Sequence, residues 1–266
     1  MCEKRFIGII PARYASTRFP GKPLAMIGGK PMIQRVYEQA MKALEYVVVA
    51  TDDERIAECV RGFGGEVVMT RADHTCGTER CSEALERIQD GQRPTGRPEA
   101  YGGEDIVINI QGDEPFIQPD QIKALQGCFE DEQTEIATLV KAFGKEDSVE
   151  DLENPNTPKV AIAEDGSALL FSRSVIPYLR GVPKEEWLQK GKFYKHIGMY
   201  AYRADVLKEI VQLPQTRLEK AESLEQLRWL ENGYKIKVAE CESVSIGIDT
   251  PADLEKANEF IKNNSY

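Results

Sequence analysis

The stretch IIPARYASTRFPGKP, residues 9–23, joins an apolar run to an irregular cationic segment, and this junction indicates the fold. The run begins at Phe6 and is β-branched and continuously apolar, which is typical of a strand covered on both faces. No Gly-Gly or Asn-Gly turn follows it, so no tight hairpin is predicted. The stretch therefore predicts a buried strand that ends in a long loop.

The first half of the chain alternates such apolar runs with amphipathic stretches. Strands are predicted at 6–10, 46–50, 66–70 and 105–110, and helices at 31–44, 53–64 and 77–90. Strand, helix, strand order implies parallel pairing with right-handed crossovers. Ligands of such sheets bind beyond the carboxyl ends of the strands, which is where the loop after the first strand lies.

The second half is more mixed, and antiparallel additions to the sheet are expected there. A hairpin is predicted to turn at Asp165-Gly166. Residues 91–104 are rich in Gly, Pro and charge, and are interpreted as a solvated connection rather than a domain boundary. A single domain, 1–266, is predicted. The predicted strands are 135–143, 159–165, 168–173, 196–203 and 235–240, and the predicted helices are 223–233 and 251–263.

The amino-acid composition and net charge disfavour several classes of function. The chain has 266 residues, 41% of them hydrophobic, which favours an ordinary folded α/β protein. A net charge of −10 disfavours a nucleic-acid surface. No apolar run approaches the roughly 20 residues of a membrane span, so a cytoplasmic protein without membrane partners is expected. The six cysteines lack C-x-x-C spacing, which favours reduced thiols over a zinc site or a disulfide scaffold.

The loop after the first strand carries Arg13, Arg18 and Lys22. The glycine fingerprints of P-loops and dinucleotide folds are absent, because GGKPM (28–32) has proline where a P-loop needs Ser or Thr. Cations and backbone N–H groups at a strand end predict a polyphosphate site. The alternative is a loop of solvated surface cations.

Two acidic residues are candidates for a metal site. Asp113 follows the predicted strand 105–110, and Asp249 precedes the predicted helix 251–263. Carboxylates at a sheet edge can hold Mg²⁺ between themselves and substrate phosphates. The alternatives are a turn or helix cap at Asp113 and a helix N-cap at Asp249.

Histidine occurs only at positions 74 and 196. Strand alternation places His196, Gly198 and Tyr200 on one face of the predicted strand 196–203. His and Tyr side chains there could bind a polyhydroxylated ligand, and a structural histidine is the alternative. His74 receives no assignment.

Several stretches together resemble the sugar-activating cytidylyltransferases, in particular those that act on 3-deoxy-D-manno-octulosonate (KDO). The resemblance spans nearly the whole chain, in the family's order. It implies a Rossmann-like, three-layer α/β/α fold of the nucleotide-diphospho-sugar transferase type, with a nucleotide-binding N-terminal half and a C-terminal half for sugar binding and dimerisation. The stretches are IIPARYASTRFPGKPL (9–24), VVVATDDERIAE (47–58), GGEVVMTRADHTCGTER (64–80), NIQGDEPFI (109–117), KHIGMYAYR (195–203), LEQLRWLENG (224–233) and GIDTPADLEKA (247–257).

The resemblance also implies roles for individual residues. Arg13, Lys22 and Asp113 would be catalytic, and Asp113 and Asp249 would bind Mg²⁺. Nucleotide-binding positions would be Ala12, Arg13, Ser16, Lys22, Gly77, Thr78, Arg80 and Asp113. Sugar-binding positions would be Gln111, Arg173, Arg180, His196, Tyr200 and Glu225. Cys76 stands where the family commonly has serine, and an ordinary helix start capped by Thr78 is the alternative for GTER (77–80).

The implied reaction joins CTP and KDO to give CMP-KDO and pyrophosphate, for lipopolysaccharide biosynthesis, in a homodimeric enzyme. One alternative is a cytidylyltransferase for another acid sugar, such as 8-amino-KDO or a sialic acid. A non-catalytic nucleotide-sugar sensor is the second alternative. The sensor would be expected to lack the metal carboxylates or the lysine, whereas Asp113, Asp249 and Lys22 are all present.

Overall fold

The computed structural model describes residues 4–15, 19–91, 101–243 and 247–263. The strands are β1 Phe6–Ala12, β2 Met26–Ile27, β3 Lys30–Pro31, β4 Val47–Thr51, β5 Val67–Met69, β6 Ile106–Asn109, β7 Ile136–Ala142, β8 Lys159–Ile162, β9 Ala168–Ser172, β10 Tyr194–Arg203 and β11 Ile236–Glu240. The α-helices are α1 Met32–Ala40, α2 Glu54–Gly62, α3 Gly77–Gln89, α4 Pro119–Cys128, α5 Val149–Glu153, α6 Trp187–Lys190, α7 Ala204–Ile210, α8 Arg217–Glu222, α9 Gln226–Glu231 and α10 Pro251–Asn263. Short 3-10 helices cover Lys22–Leu24 and Lys184–Glu186.

The described residues pack as two units. The first unit takes its residues from 1–123, 201–211 and 245–266, and the second from 124–200 and 212–244. Three separate segments of the chain therefore form the first unit. That the whole chain acts as a single cytidylyltransferase domain stays a prediction.

The first unit is built on parallel strands in the order β6, β1, β4, β5. Ile7, Ile9 and Ile10 of β1 have no exposed surface, so this strand is covered on both faces, as its continuous apolar run predicts. Helices α1, α2 and α3 pack against the strands. Because β1 and β6 are parallel neighbours, the loops that follow them leave from the same edge of the sheet.

A second apolar cluster in this unit anchors the end of the chain. Ile248 and Ala257 pack with Ile27, Met32 and Phe116, and all five side chains are almost completely buried. Helix α10 is thereby fixed beside the segments that follow β1 and β6. This packing carries the residues just before α10 to the same edge of the sheet.

The second unit combines parallel and antiparallel pairing. Strand β11 pairs with β7 in parallel, while β8 is antiparallel to both β9 and β10. The β8–β9 hairpin turns at Gly166, whose φ of 77° is left-handed, as the Asp-Gly signal predicts. A mostly parallel sheet with antiparallel additions and flanking helices confirms the predicted fold class.

Two predicted helices are shorter in the structure. The helix predicted at 31–44 ends at Ala40, where the N–H groups of Lys42 and Ala43 turn back to carbonyls three residues earlier. The helix predicted at 223–233 covers only Gln226–Glu231, because Ser223 has a left-handed φ of 51°. Helices α4, α5, α6, α7 and α8 and the β2–β3 hairpin were not predicted. Most of the connection predicted at 91–104 lies outside the described residues.

None of the described helices is both long enough and apolar enough to cross a lipid bilayer.

Candidate active site

A cavity in the first unit lies at the carboxyl ends of β1 and β6. Its walls come from the end of β1, the loops after β1 and β6, the start of α3 and Asp249, which precedes α10. Residues lining it are Pro11, Ala12, Arg13, Lys22, Pro23, His74, Thr75, Cys76, Gly77, Arg80, Gln111, Gly112, Asp113 and Asp249. The cavity thus lies where the strand-end rule predicts a ligand site.

Lys22, Asp113 and Asp249 converge in this cavity from three distant parts of the chain. Lys22 Nζ donates to Asp113 Oδ2 at 2.6 Å and to Asp249 Oδ1 at 3.1 Å. The side chains keep 14%, 32% and 47% of their surface exposed, respectively. The two carboxylate oxygens therefore face one point, and ligands can reach it from solvent.

A backbone hydrogen bond holds the two carboxylates side by side. The N–H of Ile248 donates to the carbonyl oxygen of Asp113 at 2.9 Å. Ile248 itself is completely buried in the apolar cluster beside α10. Packing of an apolar side chain thus fixes the position of the neighbouring Asp249.

Asp249 does not cap helix α10. The N-cap hydrogen bonds belong to Thr250 and Asp253: Thr250 N donates to Asp253 Oδ2 at 3.0 Å, and Asp253 N donates to Thr250 Oγ1 at 3.2 Å. The N-cap interpretation of Asp249 is therefore wrong. Asp249 instead lines the cavity.

Two glycines shape the loops that carry Lys22 and Asp113. Gly21 has a left-handed φ of 70°, which turns the chain into the 3-10 helix that begins at Lys22. At Gly112 an added Cβ would lie 2.9 Å from the carbonyl oxygen of Pro11. The loop after β6 can approach the end of β1 this closely only because residue 112 has no side chain.

The donor set fits Mg²⁺. Among the described residues, no group of three or more His, Cys, Asp or Glu side chains could form a protein-only metal site. Magnesium is usually held by one or two carboxylates together with water and substrate phosphates. Asp113 and Asp249 already share one cation, the ammonium group of Lys22, so their oxygens are arranged around positive charge.

The start of α3 forms one wall of the cavity, and the family resemblance implies that this segment binds the nucleotide. Gly77 is the first helical residue and Cys76 occupies the N-cap position, so the interpretation of Thr78 as the cap is wrong. Backbone N–H groups at a helix start, together with the helix dipole, favour anionic ligands. Thr78 is almost completely buried and does not line the cavity.

Arg80 is held rigidly at this wall. Only 3% of the residue is exposed, and Nη1 donates to Thr70 Oγ1 at 2.6 Å and to the carbonyl oxygen of Arg71 at 3.2 Å. Asp52 Oδ1 lies 3.3 Å from the same nitrogen. The guanidinium group is therefore oriented before any ligand binds.

Sequence reasoning missed His74, which lines the cavity and contacts a buried acid of α3. His74 Nε2 hydrogen-bonds Glu83 Oε2, and Glu83 also accepts from the backbone N–H of Arg71 and from Arg87 Nε. Burial alone would raise the pKa of Glu83, but these three hydrogen bonds outweigh it and hold the pKa at about 2. The spacing of Glu79, Glu83 and Arg87 on one helix face was the available signal.

The remaining sugar-binding candidates, apart from Gln111, lie in the second unit. Arg173 donates to the backbone carbonyls of Glu222 (2.6 Å), Pro155 (2.8 Å) and Ser223 (3.3 Å), so its guanidinium group is largely engaged by the fold. Arg180 is exposed. Glu225 lies at the N-cap of α9, 3.6 Å from Arg228.

His196 and Tyr200 lie on the same face of β10, as strand alternation predicts, with ring centroids 5.3 Å apart. His196 Nε2 is 3.0 Å from Thr138 Oγ1. Burial lowers the pKa of His196 to about 3 and raises the pKa of Tyr200, with the charge of Glu225 adding to the second shift. Both groups are therefore neutral at physiological pH and suited to hydrogen bonding.

The structure thus brings together most of the predicted nucleotide and metal residues. Ser16 and Arg18 lie outside the described residues. The cavity-lining members of the predicted set are Ala12, Arg13, Lys22, Gly77, Arg80, Gln111, Asp113 and Asp249. The catalytic and binding roles of these residues stay predictions.

The chain is similar to known proteins over most of its length. The family model described as cytidylyltransferase matches residues 7–236. The chain is 60% identical over 260 residues to a 3-deoxy-manno-octulosonate cytidylyltransferase of Parabacteroides distasonis, covering 97% of this chain and 99% of the relative. A relative with the same name from Phocaeicola vulgatus is 60% identical over 258 residues, covering 97% and 98% of the two chains.

A solved structure agrees with the sequence relatives. CMP:2-keto-3-deoxy-manno-octonic acid synthetase, complexed with CTP, superposes with a TM-score of 0.84 at 42% identity, and the alignment covers 98% of this chain and 99% of that chain. The resemblance seen in the sequence motifs is confirmed. The chain therefore belongs to the cytidylyltransferase family.

Proposed function

We infer that this protein transfers the cytidylyl group of CTP to KDO, forming CMP-KDO and pyrophosphate for lipopolysaccharide biosynthesis. The observation that carries this inference is the match, at 60% identity and over nearly the full length of both chains, to relatives named for this activity. The likeness to a synthetase structure that contains CTP supports the nucleotide. The cavity at the strand ends supports the proposal, because Arg13, Lys22 and Arg80 line it.

The chemistry requires alignment and charge neutralisation more than covalent work by the protein. The anomeric hydroxyl oxygen of KDO forms a bond to the α-phosphorus of CTP, the bond from that phosphorus to the bridging oxygen breaks, and pyrophosphate leaves. The hydroxyl proton passes to solvent or to pyrophosphate. Arg13 and Lys22 supply positive charge for the triphosphate and for the charge that develops in the transition state.

Asp113 and Asp249 would hold Mg²⁺ in this cavity. When bound, the ion would neutralise phosphate charge and lower the pKa of the attacking hydroxyl group. Lys22 is then free to pair with phosphate oxygens in place of the carboxylates. Arg80, fixed at the start of α3, would contact the nucleotide together with the backbone of Gly77.

Sugar recognition is assigned to Gln111, Arg173, Arg180, His196, Tyr200 and Glu225. Arg180 is an exposed residue, which suits it to pair with the carboxylate of the acid sugar. The neutral His196 and Tyr200 would exchange hydrogen bonds with sugar hydroxyl groups. We further propose that the enzyme acts in the cytoplasm as a homodimer, for which sedimentation analysis is the test.

The activity is tested by measuring pyrophosphate release for CTP, UTP and ATP, each combined with KDO, 8-amino-KDO and a sialic acid. The proposal expects turnover with CTP and KDO at least tenfold above every other pair. Turnover of CTP with another acid sugar but not with KDO would replace the proposed substrate. Absence of pyrophosphate release with every pair, from folded protein that binds CTP, would support a nucleotide-sugar sensor instead.

A further inference from the structure

Helix α3 is hydrogen-bonded to loop 71–76, which forms one wall of the cavity. Glu79 accepts from the backbone N–H of Thr75 at 2.7 Å and from Thr75 Oγ1 at 3.0 Å. One turn further along the helix, Glu83 accepts from the backbone N–H of Arg71 and contacts His74 Nε2. Loop residues 71–76 are thus fastened to two carboxylates on one face of α3.

Glu83 is the more deeply placed of these two acids. Its side chain is 10% exposed, against 27% for Glu79. Arg87, one turn further along, donates from Nε to Glu83 Oε1 at 2.8 Å, which leaves Oε2 to the loop. The carboxylate lies behind the cavity wall, does not line the cavity, and takes no part in the proposed chemistry.

His74 connects this buried acid to the cavity. The imidazole is 6% exposed and lines the cavity, with Nε2 on Glu83 and Nδ1 3.9 Å from Glu79 Oε2. An ionised carboxylate only accepts hydrogen bonds, so Nε2 carries the proton. The pair therefore fixes the orientation of the ring in the cavity wall.

We propose that Glu83 and His74 are positioning residues for the nucleotide: through them α3 holds wall residues 74–77 in the geometry that binds CTP. The proposal rests on the inferred cytidylyl transfer. The folding of α3 has a separate support, because Cys81, Ala84, Leu85 and Ile88 bury its apolar face. Loss of the Glu83 contact should therefore loosen the wall while the helix stays packed.

The test is steady-state pyrophosphate release by Glu83→Gln, with CTP and KDO varied separately. Glutamine preserves size but has only one acceptor oxygen and no charge. We expect the KM for CTP to rise about tenfold, since small misplacements of binding groups weaken binding strongly. The KM for KDO and kcat should stay within about twofold of the wild-type values.

A matched control is Glu54→Gln, which removes an acid of α2 that pairs with Arg61 on the exposed surface. It should leave the KM for CTP unchanged. His74→Asn should raise the KM for CTP like Glu83→Gln, and the double variant should be no worse than either single variant, because both residues act through one contact. If Glu83→Gln fails to fold, the proposal is tested with His74→Asn instead, by its KM for CTP and by calorimetric titration of that variant with CTP.

An unchanged KM for CTP in folded Glu83→Gln and in His74→Asn would overturn the proposal. Parallel increases in the KM for CTP and the KM for KDO would also overturn it, because they would indicate a general loss of structure. Failure of the inferred function would look different. In that case the wild-type protein itself would release no pyrophosphate from CTP and KDO.

Discussion

One ion cluster in the first unit and one ion pair in the second unit differ in how far they are exposed to solvent. In the first unit Lys22 pairs with both Asp113 and Asp249, and all three side chains remain partly exposed, so each can exchange its partner for a ligand. In the second unit Arg228 and Glu219 pair at 2.9 Å with only 8% and 7% of their side chains exposed. We infer that the partly exposed cluster serves binding, whereas this buried pair serves folding.

The largest expected effect that sharpens this contrast is the loss of activity in Asp113→Asn. Removing one charged group from the proposed metal and phosphate site should lower kcat/KM roughly 10²–10³-fold in the pyrophosphate assay. The free energy of unfolding should change by less than about 1 kcal/mol, because the Lys22 pair is partly exposed. Asp120→Asn, at an exposed position in the first turn of α4, is the matched control. Undiminished turnover in Asp113→Asn would contradict the site.

Breaking the buried ion pair of the second unit should lower the stability of the protein. Glu219→Gln leaves the buried Arg228 without its closest carboxylate and should lower the free energy of unfolding by about 3 kcal/mol in urea titrations. Glu186→Gln, in the exposed pair with Lys190, should change it by less than about 0.5 kcal/mol. Equal effects of the two substitutions would remove the distinction between buried and exposed pairs.

The close approach of Gly112 to the Pro11 carbonyl oxygen should affect both the stability of the protein and the binding of CTP. Gly112→Ala would place Cβ 2.9 Å from the Pro11 carbonyl oxygen, and relieving that overlap should cost about 1–3 kcal/mol and raise the KM for CTP. Gly127→Ala, within α4, meets no atom within 4 Å and should instead stabilise by about 0.5–1 kcal/mol. Destabilisation by both substitutions would show that the Pro11 contact is not the cause.

A further effect concerns the pH dependence of stability and a residue of the second unit. The pKa of His196 is about 3 in the folded protein, below its ordinary value of 6.5, so below pH 6.5 the unfolded chain binds a proton that the folded chain excludes. Stability should therefore fall on acidification, by at most about 1.4 kcal/mol per pH unit for this one group. Urea titrations between pH 7 and 5 should show a shallower slope for His196→Gln. An identical slope would indicate that His196 does not titrate in this way.

The main strands and the ion cluster were predictable for physical reasons. Strands β4 and β6 are buried along their whole length, and β1 is buried over residues 7–10, so their apolar composition alone identifies them. Lys22 and Asp113 follow parallel neighbours, and the strand-end rule brings them together. The family resemblance was needed for Asp249, which the residues alone also allowed as a helix cap.

Other features depend on tertiary contacts that no local pattern shows. Helix α8 ends because Ser223 adopts a left-handed conformation, which serine rarely does. Arg173 satisfies its donors on three backbone carbonyls, two of them about fifty residues away. Glu83 looks like a surface acid in an amphipathic helix, and only the folded loop 71–76 makes it a buried anchor.

Metal binding tests the central claim that Asp113 and Asp249 form one site with the nucleotide. Mn²⁺ is titrated, in the presence of a non-hydrolysable CTP analogue, into the wild type, Asp113→Asn, Asp249→Asn and Asp120→Asn, and free Mn²⁺ is followed by electron paramagnetic resonance. The account predicts that each of the first two substitutions raises the Kd at least tenfold, while Asp120→Asn leaves it unchanged. Wild-type affinity in either Asp113→Asn or Asp249→Asn would contradict a shared site.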